Sequence, residues 1–401
     1  MKLGGALLLG ACVTIAALMF GSRPLGVAGV GLLLAAGAAR VWAGLVQGPI
    51  SVLHAADPTP AVEGDRVRLR IDVQRASGMP VGSLVARGSL DRLGTYECRL
   101  TGRGRSAAAG LDLGRLPRGR FAISDARIEL GDHLGLESVS LAVDPAGAAV
   151  VVHPRLVELQ MLFSDAGRLG GAGRRLLLRR PAGFDFHSVR EYTQGESLRR
   201  VHWPTTARRG QLMVKELEDT PRDTVHVLLD CDPAGACGEP GASSFDEAVR
   251  AAGSVLKVYA GRGRKAALVT TGVGGAVVQV SSLVEGFQTM LGVLAAAEPD
   301  ARTKLARWLV HEQTRTTQAG ELVVVTANLE PAAVDALLAL ATRRLLSVVW
   351  IDAPSYTGRP TRTPTGPLRL SRLGIPVAVV RRGDDRAGAL DAPRVEAVAR
   401  A

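Results

Sequence analysis

Two runs of apolar residues open the chain and predict a membrane anchor. The first, Leu3–Phe20, contains no charged residue, and the second extends from Leu25 to Val46 with Arg40 near its end. At about 1.5 Å per helical residue, the first run reaches about 27 Å, close to the thickness of a bilayer core. Because Gly21-Ser22-Arg23-Pro24 separates the runs, the pattern predicts a transmembrane helical hairpin over residues 1–46.

Small residues recur on both runs at a spacing of four, which lets two membrane helices approach closely. These ridges are Ala6, Gly10 and Thr14, then Gly31, Ala35 and Ala39. A cleaved signal peptide is the alternative interpretation, although no clear A-x-A site follows the first run. Lys2 and Arg40 outnumber Arg23 in the turn, so we expect a multi-pass cell-membrane protein whose soluble domains are cytoplasmic.

Short alternating strands follow the hairpin. Val67 to Val73 reads VRLRIDV, which places apolar side chains on one face and charged ones on the other. Similar runs recur at regular spacing over residues 47–154, with turn residues between them. This pattern predicts an antiparallel β-sandwich with an immunoglobulin-like or fibronectin-like topology.

A connecting segment covers residues 155–222. After it, in residues 223–401, the spacing of the apolar residues changes again. Continuous apolar strands such as Thr224–Leu229 and Glu321–Thr326 alternate with helical patterns, one of which begins at Ser244 as a plausible N-cap. Buried strands that alternate with helices indicate a doubly wound, mostly parallel α/β sheet. The chain is therefore predicted to be a multi-domain protein.

Charge and cysteine content narrow the classes of partner. The formal net charge is +11, and the four cysteines show neither a C-x-x-C pair nor zinc-ligand spacing. We expect reduced thiols in a cytoplasmic environment. The basic surface suits anionic lipid head groups, and since no recognised nucleic-acid signature is present, no specific nucleic acid is expected.

The most informative segment is residues 183–218, where aromatic and basic residues interleave. Its order resembles the signature of the family called domain of unknown function 58, DUF58. The matching residues are Arg190, Glu191, Tyr192, Gly195, Glu196, Arg199, Arg200, His202, Trp203 and Arg208. Glu196 stands where the family usually has Asp. Upstream, Asp132 to Leu136 (DHLGL) resembles the family's Asp-Pro-Phe-Gly-Leu segment.

We expect these signature residues to be structural or partner-binding. Their charged members can form a paired network, since an isolated buried charge is costly, while Tyr192 and Trp203 fill a joint between domains. A cell-envelope hydrolase centred on His187 and His202 is the alternative. The sequence contains no G-x-S-x-G or H-E-x-x-H motif, so a non-enzymatic protein is predicted.

The resemblance also implies a von Willebrand factor A (vWA)-like C-terminal domain. In that fold an Asp-x-Ser-x-Ser motif after the first strand helps to bind a divalent ion. Asp230 and Asp232 keep two oxygen donors of this degenerate site, while Ala234 keeps none. We expect Asp230, Asp232, Thr326 and Asn328 to converge at the carboxyl edge of the sheet. Capping by the two aspartates is favoured over Mg²⁺ binding, so no cofactor is predicted.

The resemblance finally implies a partner, because similar proteins are often associated with MoxR-type AAA+ ATPases. The predicted function is a membrane-anchored, non-enzymatic scaffold or adaptor that works with such an ATPase in assembly or maturation of a cell-envelope or protein complex. The hydrolase and a basic nucleic-acid-binding protein remain the alternatives.

Overall fold

The structure, a computed structural model, divides the chain into two compact units, Met1–His153 and Pro154–Ala401. It describes residues 2–145, 148–159, 162–164, 186–191, 201–217, 224–311, 320–342, 344–358 and 365–391. Each unit has its own hydrophobic core.

The first unit begins with two apolar helices, α1 (Lys2–Phe20) and α2 (Arg23–Val46). Pro24 lies in the first turn of α2, where its missing N–H costs no helical hydrogen bond. Both helices are long and apolar enough to cross a membrane. Near the N-terminus, such helices indicate membrane association or a signal sequence.

Close packing between the two helices centres on Gly29. A Cβ atom at Gly29 would lie 2.8 Å from the backbone nitrogen of Thr14, so only glycine fits there. Gly29, Ala36 and Ala39 are buried on α2, whereas the space around Gly31 is open. The prediction that Gly31 lies at the contact between the helices was therefore wrong. The buried small residues of α2 are instead spaced by seven and then three positions, the spacing of a coiled-coil interface.

The C-terminal turns of α2 belong to the core of the following β-strands. Ala43 and Val46 are 1% and 2% exposed and pack in the same cluster as the strand residues. Trp42 donates a hydrogen bond from Nε1 to the carbonyl oxygen of Pro80 at 2.8 Å. The helix and the β-strands are thus one packed body.

Ten strands form two sheets over a single core. They are β1 Ile50–Asp57, β2 Ala61–Val62, β3 Arg66–Arg75, β4 Ser83–Leu90, β5 Gly94–Arg99, β6 Thr101–Arg103, β7 Ser106–Arg115, β8 Gly119–Gly131, β9 Ser138–Ala142 and β10 Ala149–His153. One sheet has the order β1-β3-β7-β6, and the other has β2-β10-β8-β4-β5 with β9 paired to β8. All pairs are antiparallel except β2 with β10.

The predicted alternation of β3 is confirmed. Val67, Leu69 and Ile71 are fully buried, while Arg66 and Arg68 between and before them are exposed. Because successive strand residues point to opposite faces, one face of β3 supplies the core and the other meets solvent.

The second unit contains a mixed α/β sheet. Its strands are β13 Val225–Leu229, β14 Ala266–Thr270, β15 Val277–Val280, β16 Glu321–Thr326, β17 Leu345–Ile351 and β18 Val377–Val380, and its helices are α4 Ser244–Gly261, α5 Phe287–Ala296, α6 Leu305–His311, α7 Pro331–Ala341, α8 Thr365–Arg372 and α9 Arg386–Asp391. The sheet order is β15-β14-β13-β16-β17-β18. All neighbours are parallel except β14 with β15.

Both faces of this sheet are covered, as continuous apolar strands predict. Val227 and Leu229 belong to one buried cluster, and Leu228 between them belongs to another. Helix α4 starts with a capping box in which Ser243 and Asp246 bond each other's backbone. The N-cap is therefore Ser243, one residue before the predicted Ser244, which instead donates its hydroxyl to Gly235 O at 2.6 Å.

Part of the second unit precedes this sheet. Strands β11 (Phe186–Glu191) and β12 (Met213–Leu217) form an antiparallel pair, with the short helix α3 (Trp203–Arg209) between them. Helix α3 ends at Gly210, whose φ of +68° suits glycine at a helix C-terminus.

Candidate functional site

A polar cluster lies where β13 and β16 end side by side. Asp230 directly follows β13, and Thr326 is the last residue of β16. The Thr326 hydroxyl donates to Asp230 Oδ2 at 2.7 Å, and the Thr271 hydroxyl lies 3.3 Å from Oδ1. Asp230 is only 3% exposed, so these hydroxyls replace the water that a carboxylate otherwise binds.

Asp232 extends the cluster toward the surface. Its Oδ1 accepts a hydrogen bond from the backbone nitrogen of Ala234 at 2.9 Å, which caps the 3₁₀ turn Pro233–Gly235. Its Oδ2 accepts from Asn328 Nδ2, also at 2.9 Å. The prediction that four side chains meet at this edge is therefore confirmed for Asp230, Asp232, Thr326 and Asn328. Asp232 also caps the 3₁₀ turn that follows it.

Burial dominates the electrostatics of Asp230. Loss of solvent raises the pKa of its carboxyl to about 6, and the nearby charge of Asp232 acts in the same direction. Hydrogen bonds from Thr326, the Asp232 backbone and Thr271 oppose this shift. Asp230 is thus a proton-binding group that changes charge just below neutral pH.

The residues present do not by themselves fit a magnesium site. Mg²⁺ takes six oxygen ligands in near-octahedral geometry, whereas Ala234 brings none and Asn328 presents its amide nitrogen to Asp232. Within the described ranges, no group of three His, Cys, Asp or Glu residues is placed to hold a metal ion. The arrangement as built suits hydrogen bonding to a polar partner.

Two charged groups at the rim were missed by sequence reasoning. Lys304 pairs with Glu330, with its Nζ 2.7 Å from Glu330 Oε1, and Glu330 Oε1 lies 3.4 Å from Asn328 Nδ2. Their positions depend on how α6 and α7 pack, which no local motif reveals. The edge of the sheet therefore presents charges of both signs.

Asp352 was also missed, although a local signal exists. It follows the buried strand β17 just as Asp230 follows β13, and it is fully buried. Arg381 Nε lies 3.3 Å from Asp352 Oδ2. Burial raises the pKa of the Asp352 carboxyl, and Arg381 opposes that shift.

The described part of the DUF58-like signature forms a strand-helix-strand unit. The backbone of Arg190 pairs with Val214 and that of Glu191 with Met213 in the β11–β12 ladder. His202 donates its backbone N–H to the Met213 carbonyl at 2.8 Å. These backbone hydrogen bonds hold the start of α3 against β12.

His202 and Trp203 differ in their surroundings. His202 is half-buried, and its Nδ1 lies 2.7 Å from the Thr205 hydroxyl within the first turn of α3. Trp203 is 64% exposed. Arg208 is exposed as well. The packing and partner-binding interpretations of these residues both stay predictions.

The remaining signature residues lie outside the described residues. They are Tyr192, Gly195, Glu196, Arg199 and Arg200. His187 lies in β11 and is described by its backbone alone. The predicted charged network and the hydrolase centred on His187 and His202 therefore stay predictions.

Comparison with known proteins matches a family model to part of the chain. Residues 188–357 match the family described as "Protein of unknown function DUF58". This range contains most of β11, all of α3 and all four residues of the polar cluster. A relative, "Uncharacterized protein YeaD" of Bacillus subtilis (strain 168), is 26% identical over 283 residues, which cover 68% of this chain and 69% of the relative.

Among solved structures, Cwp6 from Clostridium difficile shows a remote likeness. It has 8% identity and a TM-score of 0.21, and the match covers 85% of this chain but 47% of that protein. This chain therefore spans about half of that protein's length. The matched segment, its signature residues and the relative from Bacillus subtilis together identify residues 188–357 of this chain as a DUF58-family segment.

Proposed function

We propose that this protein is a membrane-anchored, non-enzymatic adaptor whose α/β unit docks a protein partner at the carboxyl edge of its sheet. The observation that carries the proposal is the cluster of Asp230, Thr326, Asp232 and Asn328. It lies between β13 and β16, where the strand order reverses, and ligands of open α/β sheets gather at such points.

The topology supports a vWA-like fold for this unit. The first strand lies in the middle of the sheet, the antiparallel strand β15 forms one edge, and Asp230 follows the first strand. In this proposal the partner binds through hydrogen bonds and charge to the rim, with at most partial dependence on a divalent ion. The β-strands of the first unit are proposed to be an immunoglobulin-like or fibronectin-like sandwich.

The proposed partner is a MoxR-type AAA+ ATPase, and the proposed process is assembly or maturation of a cell-envelope or protein complex. The DUF58 resemblance supports this choice of partner. The apolar helices support a multi-pass anchor, and the positive charges of Lys2 and Arg40 support cytoplasmic soluble units. Basic residues outside the helices support additional attraction to anionic lipid head groups.

Co-purification tests whether the partner docks at the carboxyl edge of the sheet, at Asp230, Asp232, Thr326 and Asn328. The full chain, carrying an affinity tag, is isolated from detergent-solubilised membranes as wild type, as Asp232→Ala and as Asp335→Ala. Asp335 is a matched control because it is an exposed aspartate on α7 that pairs with Arg369 at 2.8 Å. We expect an AAA+ ATPase with the wild type and with Asp335→Ala, and its loss with Asp232→Ala.

Two outcomes contradict the proposal. Equal recovery of the partner with Asp232→Ala places the docking surface elsewhere, and equal loss with both variants reveals a nonspecific charge effect. Repeating the co-purification in the presence of a chelator separates two modes of binding. Complete loss of the ATPase in chelator would mean that a metal ion bridges the two proteins. Equal melting temperatures of the variants show that the loss is not caused by unfolding.

A further inference from the structure

The loop between β8 and β9, residues 132–137, is a tight turn with an apolar apex. Asp132 Oδ1 accepts a hydrogen bond from the backbone nitrogen of Glu137 at 3.0 Å. Gly135, with a φ of +66°, donates its N–H to the Asp132 carbonyl at 3.2 Å. Asp132 is buried while Leu134 is 65% exposed. The turn therefore presents the exposed Leu134 side chain at a fixed position.

This loop lies beside the end of α2. Arg40 Nη1 is 3.8 Å from Glu137 Oε1, so the base of the loop reaches the level of Arg40. Val41 and Leu45, on the same turns of α2, are 63% and 57% exposed. An arginine at the end of an apolar helix, with apolar neighbours still exposed, is typical of the level at which a span meets the membrane surface.

We propose that residues 132–137 form a membrane-contact loop, in which Leu134 inserts into the surface of the lipid bilayer beside α2. The proposal rests on the membrane anchoring proposed above. Lipid is the occupant because Val41 and Leu45, which follow Arg40 on α2, keep exposed apolar side chains on the part of the helix that the loop reaches. Since Asp132 already fixes the turn, insertion loses little conformational entropy.

Leu93 provides a matched control at the other end of the same sheet. It is an exposed leucine in the turn between β4 and β5. Strand β4 pairs with β8 from Ser83, opposite Gly131, to Leu90, opposite Ile123. Eight strand residues extend about 26 Å, so Leu93 lies far from the proposed contact.

Fluorescence quenching by lipids distinguishes the two positions. The full chain is reconstituted into phosphatidylcholine–phosphatidylglycerol vesicles that contain nitroxide-labelled lipid. Single-cysteine chains, in which the other native cysteines are replaced by alanine, carry one fluorophore at Leu134→Cys, at Leu93→Cys or at the native Cys12. Cys12 is exposed on α1 and reports on the membrane span itself.

We expect the label at position 134 to be quenched several-fold more than the label at position 93, with Cys12 quenched by deeper nitroxides. If positions 134 and 93 behave alike while Cys12 is quenched, the loop proposal fails and the anchor stands. If Cys12 is not quenched, the proposed anchor fails, and the loop proposal with it.

A second measurement uses the unsubstituted chain, so it holds even if the cysteine variants fold poorly. Vesicles are prepared with a phosphatidylcholine that carries a photoreactive group near its head group. After illumination, mass spectrometry should find lipid adducts within residues 132–137 and few at Leu93. Adducts on α1 and α2 without any on the loop would overturn the loop proposal.

Discussion

At the scale of single residues, Asp230 is the group that we expect to make the stability of the α/β unit depend on pH. Its carboxyl is almost inaccessible to water and is held by the hydroxyls of Thr326 and Thr271. Both hydroxyls can also accept a hydrogen bond, so the neutral carboxylic acid fits the same geometry. The site is therefore compatible with both protonation states, and pH decides between them.

Asp230→Asn should abolish a pH dependence of stability. Because burial raises the pKa of the folded-state carboxyl to about 6, the folded chain holds the proton more tightly than the unfolded chain. This stabilisation is complete below the unfolded pKa of about 4 and is lost as the pH rises through about 6. We expect the variant to exceed the wild type by up to about 3 kcal/mol at neutral pH and to match it near the unfolded pKa.

Urea unfolding of the full chain in detergent, followed by the fluorescence of the tryptophans, measures this difference across the pH range. Parallel curves for the wild type and Asp230→Asn would show that another group titrates. Asp335→Asn, the same change at an exposed aspartate of the same unit, is the control.

Trp203→Ala separates packing from binding. A buried tryptophan would cost about 3–5 kcal/mol on truncation, but Trp203 is 64% exposed. We therefore expect a change in the free energy of unfolding within about 0.5 kcal/mol, as for most surface substitutions, together with weaker recovery of the partner. A large drop in the melting temperature would restore the packing interpretation.

The strands and helices of the α/β unit were predictable because their signals are local. Apolar runs marked β13, β16 and β17, and parallel strands must bring their carboxyl ends to one edge, so the meeting of Asp230 with Thr326 followed. The hydrogen bond between Thr271 and Asp230 was not predictable, because it depends on the position of β14 beside β13. The exposure of Trp203 depends on how α3 packs, which apolar pattern does not encode.

The seam between α1 and α2 shows the same limit. Small residues at several spacings were visible, but the face that meets the other helix is a tertiary property. Gly29→Leu should force the helices apart, because a Cβ at Gly29 meets the Thr14 backbone, while Gly31→Leu points into open space and should be tolerated.

Disulfide formation measures the separation of the helices. A Cβ at Gly26 would lie 3.8 Å from the Ala17 Cβ, which suits a disulfide between Ala17→Cys and Gly26→Cys. We expect oxidation to be slowed by Gly29→Leu and unaffected by Gly31→Leu. Similar rates for both variants would mean that the helices do not pack through Gly29.

For the whole molecule, the helical hairpin predicts that both soluble units lie on the cytoplasmic side. Lys2 and Arg40 mark one side of the membrane, and Arg23 marks the short turn on the other. In intact cells, a membrane-impermeant maleimide should label Ser22→Cys in that turn. It should label Leu93→Cys only after the membrane is permeabilised, and the reverse pattern would invert the orientation.

Because Ala43 and Val46 lie inside the β core, α2 and the strands move as one piece. In the proposed membrane-anchored state, a force applied to the β-strands would therefore pass directly through α2 to the bilayer. The same arrangement means that a soluble fragment starting after Val46 loses part of its own core.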